Sequence, residues 1–158
     1  MKKVGKLNLN DLGGKIQELT IEEQKLTIGG KDVWRISGGY LYEVDGGVLF
    51  CGDNDRSVWF PGVEISTHLV AEGTAYQYNG TIHISEDWLK DGFNIYDFAH
   101  EFGHYIQQYL VGDKLYYKYI AIPSMHDLYT DPEHHDEQWY EKDATDRGYK
   151  HMYNQGYY

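Results

Sequence analysis

Two histidines four residues apart, with a glutamate directly after the first, constrain this chain more than any other feature: His100-Glu101-Phe102-Gly103-His104. At 3.6 residues per helical turn, positions four apart share a face, so both imidazoles can meet one metal ion while Glu101 points toward a water on it. Zinc lowers the pKa of such a water towards neutrality, and the carboxylate takes its proton as the water attacks a polarised carbonyl. Peptide hydrolysis is the chemistry expected of the pattern. The fold must then supply a helix through these residues and a further ligand from elsewhere.

The flanking residues read as that helix. Ile95, Phe98, Phe102, Tyr105, Ile106 and Tyr109 recur at spacings of three and four, and Gly112 is positioned to end the helix. Asn94 and Asp91 are both candidates for its N-cap. A third ligand in the form of a histidine six residues after His104 is excluded, because Leu110 stands there. The other route is a glutamate on a later helix. Trp139-Tyr140-Glu141-Lys142-Asp143-Ala144-Thr145 offers Glu141, with Trp139, Ala144 and Tyr149 as candidates for the packed face. Between the two helices, 112–137 reads as a long irregular connection of the kind that usually carries function. It holds His126, His134 and His135, and of these His135 is the first candidate to stabilise a developing oxyanion. One of them binding metal in place of Glu141 stays open at this point.

Strands are expected upstream. Tyr76-Gln77-Tyr78, Asn79-Gly80 and Thr81-Ile82-His83-Ile84 form a strong hairpin signal, with Ile82 and Ile84 facing the core and His83 outward. Tyr40 to Cys51 reads as another hairpin, turning at Asp45-Gly46-Gly47.

His100, Glu101 and His104 together with Glu141 resemble the gluzincin group of zinc metallopeptidases. Gly103-His104-Tyr105-Ile106-Gln107, Ile122-Pro123-Ser124, and His135 ahead of Trp139 and Glu141 resemble small bacterial gluzincin-like peptidases, a likeness covering roughly residues 80–150. The resemblance implies an α+β, zincin-like domain over residues 31–158, with N-terminal antiparallel β-hairpins followed by the HExxH helix and a second helix carrying the glutamate ligand. It implies zinc held by His100, His104 and Glu141 and Glu101 as general base; the oxyanion donor is a histidine or tyrosine in related enzymes, and His135 is the first choice for that catalytic part here, ahead of His126 and His134. In zincins the strand just before the metal helix pairs with extended substrate, so 81–85 is the expected place of strand addition. One departure stands out. Better-known gluzincins have an aspartate four residues after the glutamate ligand to orient the first histidine, and this chain has Thr145, with Asp143 and Asp146 off that helical face.

Residues 1–30 differ from the rest. They hold five lysines, four acids and no aromatic residue, whereas all 16 tyrosines and all 4 tryptophans follow. Leu7, Leu9, Leu12, Ile16 and Leu19 are spaced on a polar background, unlike the continuous apolar core of a secretory signal or membrane span. Thr20-Ile21-Glu22-Glu23 is a capping box. With the Lys-rich start, Leu7-Asn8-Leu9, Glu22-Glu23-Gln24 and Ile28-Gly29-Gly30, the segment resembles double-glycine leader peptides. The resemblance implies cleavage after Gly29-Gly30 by a peptidase-containing ABC exporter and a secreted product; the alternative localisation is cytoplasmic.

The formal charge is −11, and loss of a leader carrying +1 leaves −12, which argues against nucleic acid as a partner. The single cysteine, Cys51, excludes an internal disulfide and is expected in a half-buried strand, with a latency ligand on zinc as the other reading. Asp53-Asn54-Asp55 reads as a solvated turn. The leading functional expectation is an exported zinc-dependent hydrolase of peptide or protein substrates. The alternatives are an exported bacteriocin-like or signalling protein with a structural or inactive zinc site, and an intracellular binding domain.

Overall fold

Glycine-punctuated apolar runs open the described part of the chain, and they fold as strands. The computed structural model describes residues 32–68 and 70–157, so the expected leader, with Gly29 and Gly30, lies outside the described residues. β1 (Val33–Ile36), β2 (Gly39–Val44), β3 (Gly47–Gly52) and β4 (Ser57–Pro61) form an antiparallel meander in that order. Val44 pairs with Gly47 across Asp45-Gly46, and Gly46 supplies the positive φ of 88° that a two-residue hairpin needs. β3 is buried along its whole length. Val48 and Phe50 enter the main core, while Leu49 and Cys51 pack with Tyr42 on the opposite face.

A second sheet has the order β5 (Glu64–Ser66), β7 (Thr81–Ile84), β6 (Ala75–Tyr78). The β6–β7 hairpin turns at Asn79-Gly80 with φ of 50° and 82°, both left-handed as the tight turn requires. Ile82 and Ile84 are fully buried, and His83 stacks on Tyr76 at 4.7 Å on the outer face. Strand addition at 81–85 is ruled out: β7 is bonded to β5 on one side and to β6 on the other. The unforeseen element is β5, a three-residue parallel partner too short for hydrophobic periodicity to reveal.

α1 (Glu86–Asp91) leads into α2 (Ile95–Val111). Asn94 caps α2, accepting from the Tyr96 and Asp97 amides while the Asp97 carboxylate accepts from the Asn94 amide at 2.9 Å. Asp91 ends α1 instead. Gly112, at φ 78°, closes α2 as its spacing predicts. Ile95, Phe98 and Phe102 are buried, with Phe60 packed edge-on to Phe98 and Phe102 at 4.9 and 5.1 Å. Tyr109 departs from the expected face and is 79% exposed, because the core ends one turn earlier.

The connection 112–137 is largely helical rather than irregular. It comprises α3 (Asp113–Tyr116), a π-turn (Tyr117–Ala121), α4 (Ile122–Thr130) and a 3-10 turn (Pro132–Glu137). Pro123 cannot sit inside a regular α-helix without losing a hydrogen bond and crowding the carbonyl one turn back, and the wider turn just before it absorbs that mismatch.

α5 (Trp139–Asn154) lies directly on α2. Two glycines set the contact. A Cβ on Gly103 would fall 1.9 Å from the Ala144 carbonyl oxygen, and one on Gly148 would fall 1.8 Å from that of Ala99. The packed face of α5 is Tyr140, Glu141, Ala144, Gly148 and Met152, with Tyr149 half-buried beside it. Trp139, expected on that face, is 60% exposed, since this stripe leaves it on the outside. Among the described residues no helix is long and apolar enough to cross a membrane.

Candidate metal centre

His100 and His104 stand one turn apart on α2, their rings edge-to-face at 4.8 Å. Glu141 comes from the first turn of α5, carried in by the glycine contact. Its Oε2 lies 3.1 Å from His100 Nε2 and 3.0 Å from His104 Nε2. Among the described residues these three form the one group of His, Cys, Asp and Glu side chains close enough together to hold a metal ion.

The donor set fits a cation. Glu141 is 1% exposed, and its Oε1 makes no hydrogen bond. A carboxylate so buried needs a positive partner. Burial acts to raise its pKa, but hydrogen bonding from His100 and His104 outweighs this and holds the group well below the usual carboxylate range. The same pairing, working against burial, raises His104. Each histidine is also held through its other nitrogen: His100 Nδ1 is 2.9 Å from Thr145 Oγ1, and His104 Nδ1 is 2.9 Å from Gln107 Oε1. Both Nε2 atoms are thereby left facing Glu141. Thr145 thus stands where the resemblance would have an aspartate and serves the same ring nitrogen with a hydroxyl. Asp143 does not touch His100; it accepts from Gln107 Nε2 at 2.8 Å. Asp146 is exposed.

Glu101 borders the group. It is 8% exposed, and its buried Oε2 has no hydrogen-bond partner. Burial raises its pKa, opposed by His100 and His104 and reinforced by the charges of Glu141 and Asp97. Of the three connecting histidines, His135 alone reaches the centre, with Nε2 3.5 Å from Glu141 Oε1 and a side chain 15% exposed. His126 and His134 are well exposed and pair with Asp127 and Asp131. The Tyr140 hydroxyl donates to Asp127 and ties α4 to α5.

The five residues put first from the sequence as catalytic or metal-ligating therefore share one place: Glu101, His135, His100, His104 and Glu141. Four of them, all but His104, line a cleft of about 470 Å³ bounded by Ala75 at the start of β6 and by Trp88, Tyr96, Leu128 and Tyr149. Cys51 takes no part; it lies in the cluster of Tyr42 and Leu49, where burial pushes its thiol up to about 12. Sequence reasoning missed the roles of Gln107 and Thr145 and the two glycines. Gln107 ends the run Gly103-His104-Tyr105-Ile106-Gln107, and the signal for the glycines is the recurrence of small residues at Ala144 and Gly148, four apart on one face. No protein family, curated protein or solved structure matches the chain.

Proposed function

We propose that the protein is a zinc-dependent peptidase of gluzincin type. The observation that carries this reading is the convergence of His100, His104 and Glu141, from two separate helices, beside a buried glutamate whose Oε2 is unpartnered. Two imidazole nitrogens and one carboxylate oxygen are a donor set suited to catalytic zinc, which takes three protein ligands and keeps a fourth position open. Zinc bound there supplies Lewis acidity, polarising a substrate carbonyl and acidifying a water. Glu101 accepts a proton and passes it to the leaving amine, and burial acts to raise its pKa. His135, in the same cleft, is the donor to the carbonyl oxygen.

An extended peptide adds along β6. The hairpin register pairs Tyr76 and Tyr78 with β7, which leaves the backbone groups of Ala75 and Gln77 directed outward, and Ala75 borders the cleft. Residues 1–30 act as a double-glycine leader that directs export, a reading supported by their composition and the Ile28-Gly29-Gly30 ending.

Purified protein is expected to carry about one zinc per chain by elemental analysis and to hydrolyse a mixed peptide library, with hydrolysis abolished by chelator and restored by zinc. Glu141→Ala should lose the metal at concentrations near the dissociation constant. Unchanged zinc content in that variant, or hydrolysis indifferent to chelator, would overturn the assignment.

A further inference from the structure

Gln107 lies one turn beyond His104 on α2, is 2% exposed, and has both amide hydrogens and its amide oxygen engaged. Its Nε2 donates to the Tyr140 carbonyl oxygen at 2.8 Å and to Asp143 Oδ2 at 2.8 Å. Both partners are acceptors. Asp143 Oδ2 also accepts from Arg147 Nε at 2.6 Å, and the Tyr140 carbonyl oxygen can only accept. With the amide hydrogens so committed, the side chain cannot flip, and Oε1 must face His104 Nδ1. An amide oxygen only accepts, so Nδ1 of His104 must carry a hydrogen. Its Nε2, on the side of Glu141 and His100, is then the nitrogen that would give its lone pair to a metal ion, in place of the hydrogen it shares with Glu141.

From this we infer that Gln107 is a positioning residue, which through Asp143 and Tyr140 locks the ring orientation and tautomer of His104 for metal binding; the inference rests on the zinc reading above. His100 is held differently. A threonine hydroxyl both donates and accepts, so Thr145 orients that ring without selecting its tautomer. The relay also crosses the helix pair, because Tyr140 and Asp143 flank Glu141 on α5. A single buried amide thus ties one ligand's ring to the helix that brings another. Partners of this kind typically change metal affinity by about 10–100-fold when removed.

The test uses Gln107→Glu alone and Gln107→Glu combined with Asp143→Asn, with zinc affinity measured by competition against a chromophoric chelator and folding checked by circular dichroism. In the single variant a carboxylate faces two acceptors and the relay breaks, so affinity should fall by about 10-fold or more. In the double variant the amide introduced at position 143 can donate to the new carboxylate at position 107, which still accepts from His104, and affinity should recover in part, the Tyr140 carbonyl remaining unpaired. A merely structural role predicts the same recovery, so the protonation of His104 is the readout that separates the two. Independently of any variant, nitrogen-15 NMR of the wild-type zinc-loaded protein should find His104 Nδ1 protonated and protected from exchange. A folded Gln107→Glu with wild-type affinity, or an unprotonated Nδ1, would overturn the positioning role alone. Wild-type protein that binds no zinc would overturn the metal centre and the positioning role together.

Discussion

A single methyl group at position 148 should separate the two helices that build the candidate metal centre. In Gly148→Ala the new Cβ would fall 1.8 Å from the Ala99 carbonyl oxygen and 2.5 Å from its carbon, where ordinary contact begins near 3.4 Å. The obstacle is backbone, so no rotamer change relieves it, and α2 and α5 must part locally by about 1.5 Å. Overpacking a filled interface costs about 1–3 kcal/mol, and backbone on both sides puts this case at the upper end. For a domain of this size that corresponds to a fall in Tm of about 10 °C. Glu141 lies two turns earlier on α5, about 10 Å along the axis. Metal–ligand lengths tolerate only about 0.2 Å, so even a fraction of the displacement should weaken zinc binding by about 10-fold or more. Thermal melts followed by circular dichroism, with chelator competition for zinc, provide the measurement. Lys150→Ala, on the exposed side of the same helix, is the control and should stay within about 0.5 kcal/mol of wild type. Gly148→Ala with an unshifted melt and wild-type zinc affinity would refute the close helix contact.

Glu101→Gln should keep its fold and its zinc yet lose hydrolysis by at least about 10²-fold, and retained turnover would assign proton transfer to another group. Cys51 should resist alkylation at pH 8 in the native protein and react once denatured, because burial pushes its thiol up to about 12; rapid native labelling would contradict its position in β3. The secreted form should begin at Lys31, read by mass spectrometry of material from the native host, with Gly30→Phe retained uncleaved in the cell. A secreted chain starting at Met1 would remove the leader.

What the sequence disclosed was local. The 3.6-residue recurrence from Ile95 to Ile106 and the Asn79-Gly80 and Asp45-Gly46 turns each depend on neighbours a few residues away, and all reappear in the fold. Glu141 was legible because a helical motif creates a chemical need that few downstream residues meet. The rest depended on distance in space. β5 contributes three residues whose only signature is their partner, so β7 reads from the sequence as an edge strand although it lies at the centre of its sheet. The tyrosine-rich run and Pro123 obscured a nearly continuous helical path from 113 to 130, since a π-turn shifts the period that a reader counts. Gln107 was seen only as part of a motif, because an amide on a buried face reveals nothing until its three partners are known.

The reciprocal glycines also change what a signature for such a centre should contain. Two histidines and a glutamate on one helix arise readily by chance, but they acquire a third ligand only where another helix can come within backbone contact. That condition is written in residues that do no chemistry: Gly103 inside the first motif, and Ala144 and Gly148 spaced after Glu141. A pattern of His-Glu-x-Gly-His followed downstream by Glu-x-x-Ala-x-x-x-Gly would therefore select chains by whether the centre can close. In a collection of divergent sequences, drift at the exposed positions Lys142, Asp146 and Lys150 should leave that pattern intact, and loss of either glycine should coincide with loss of the glutamate.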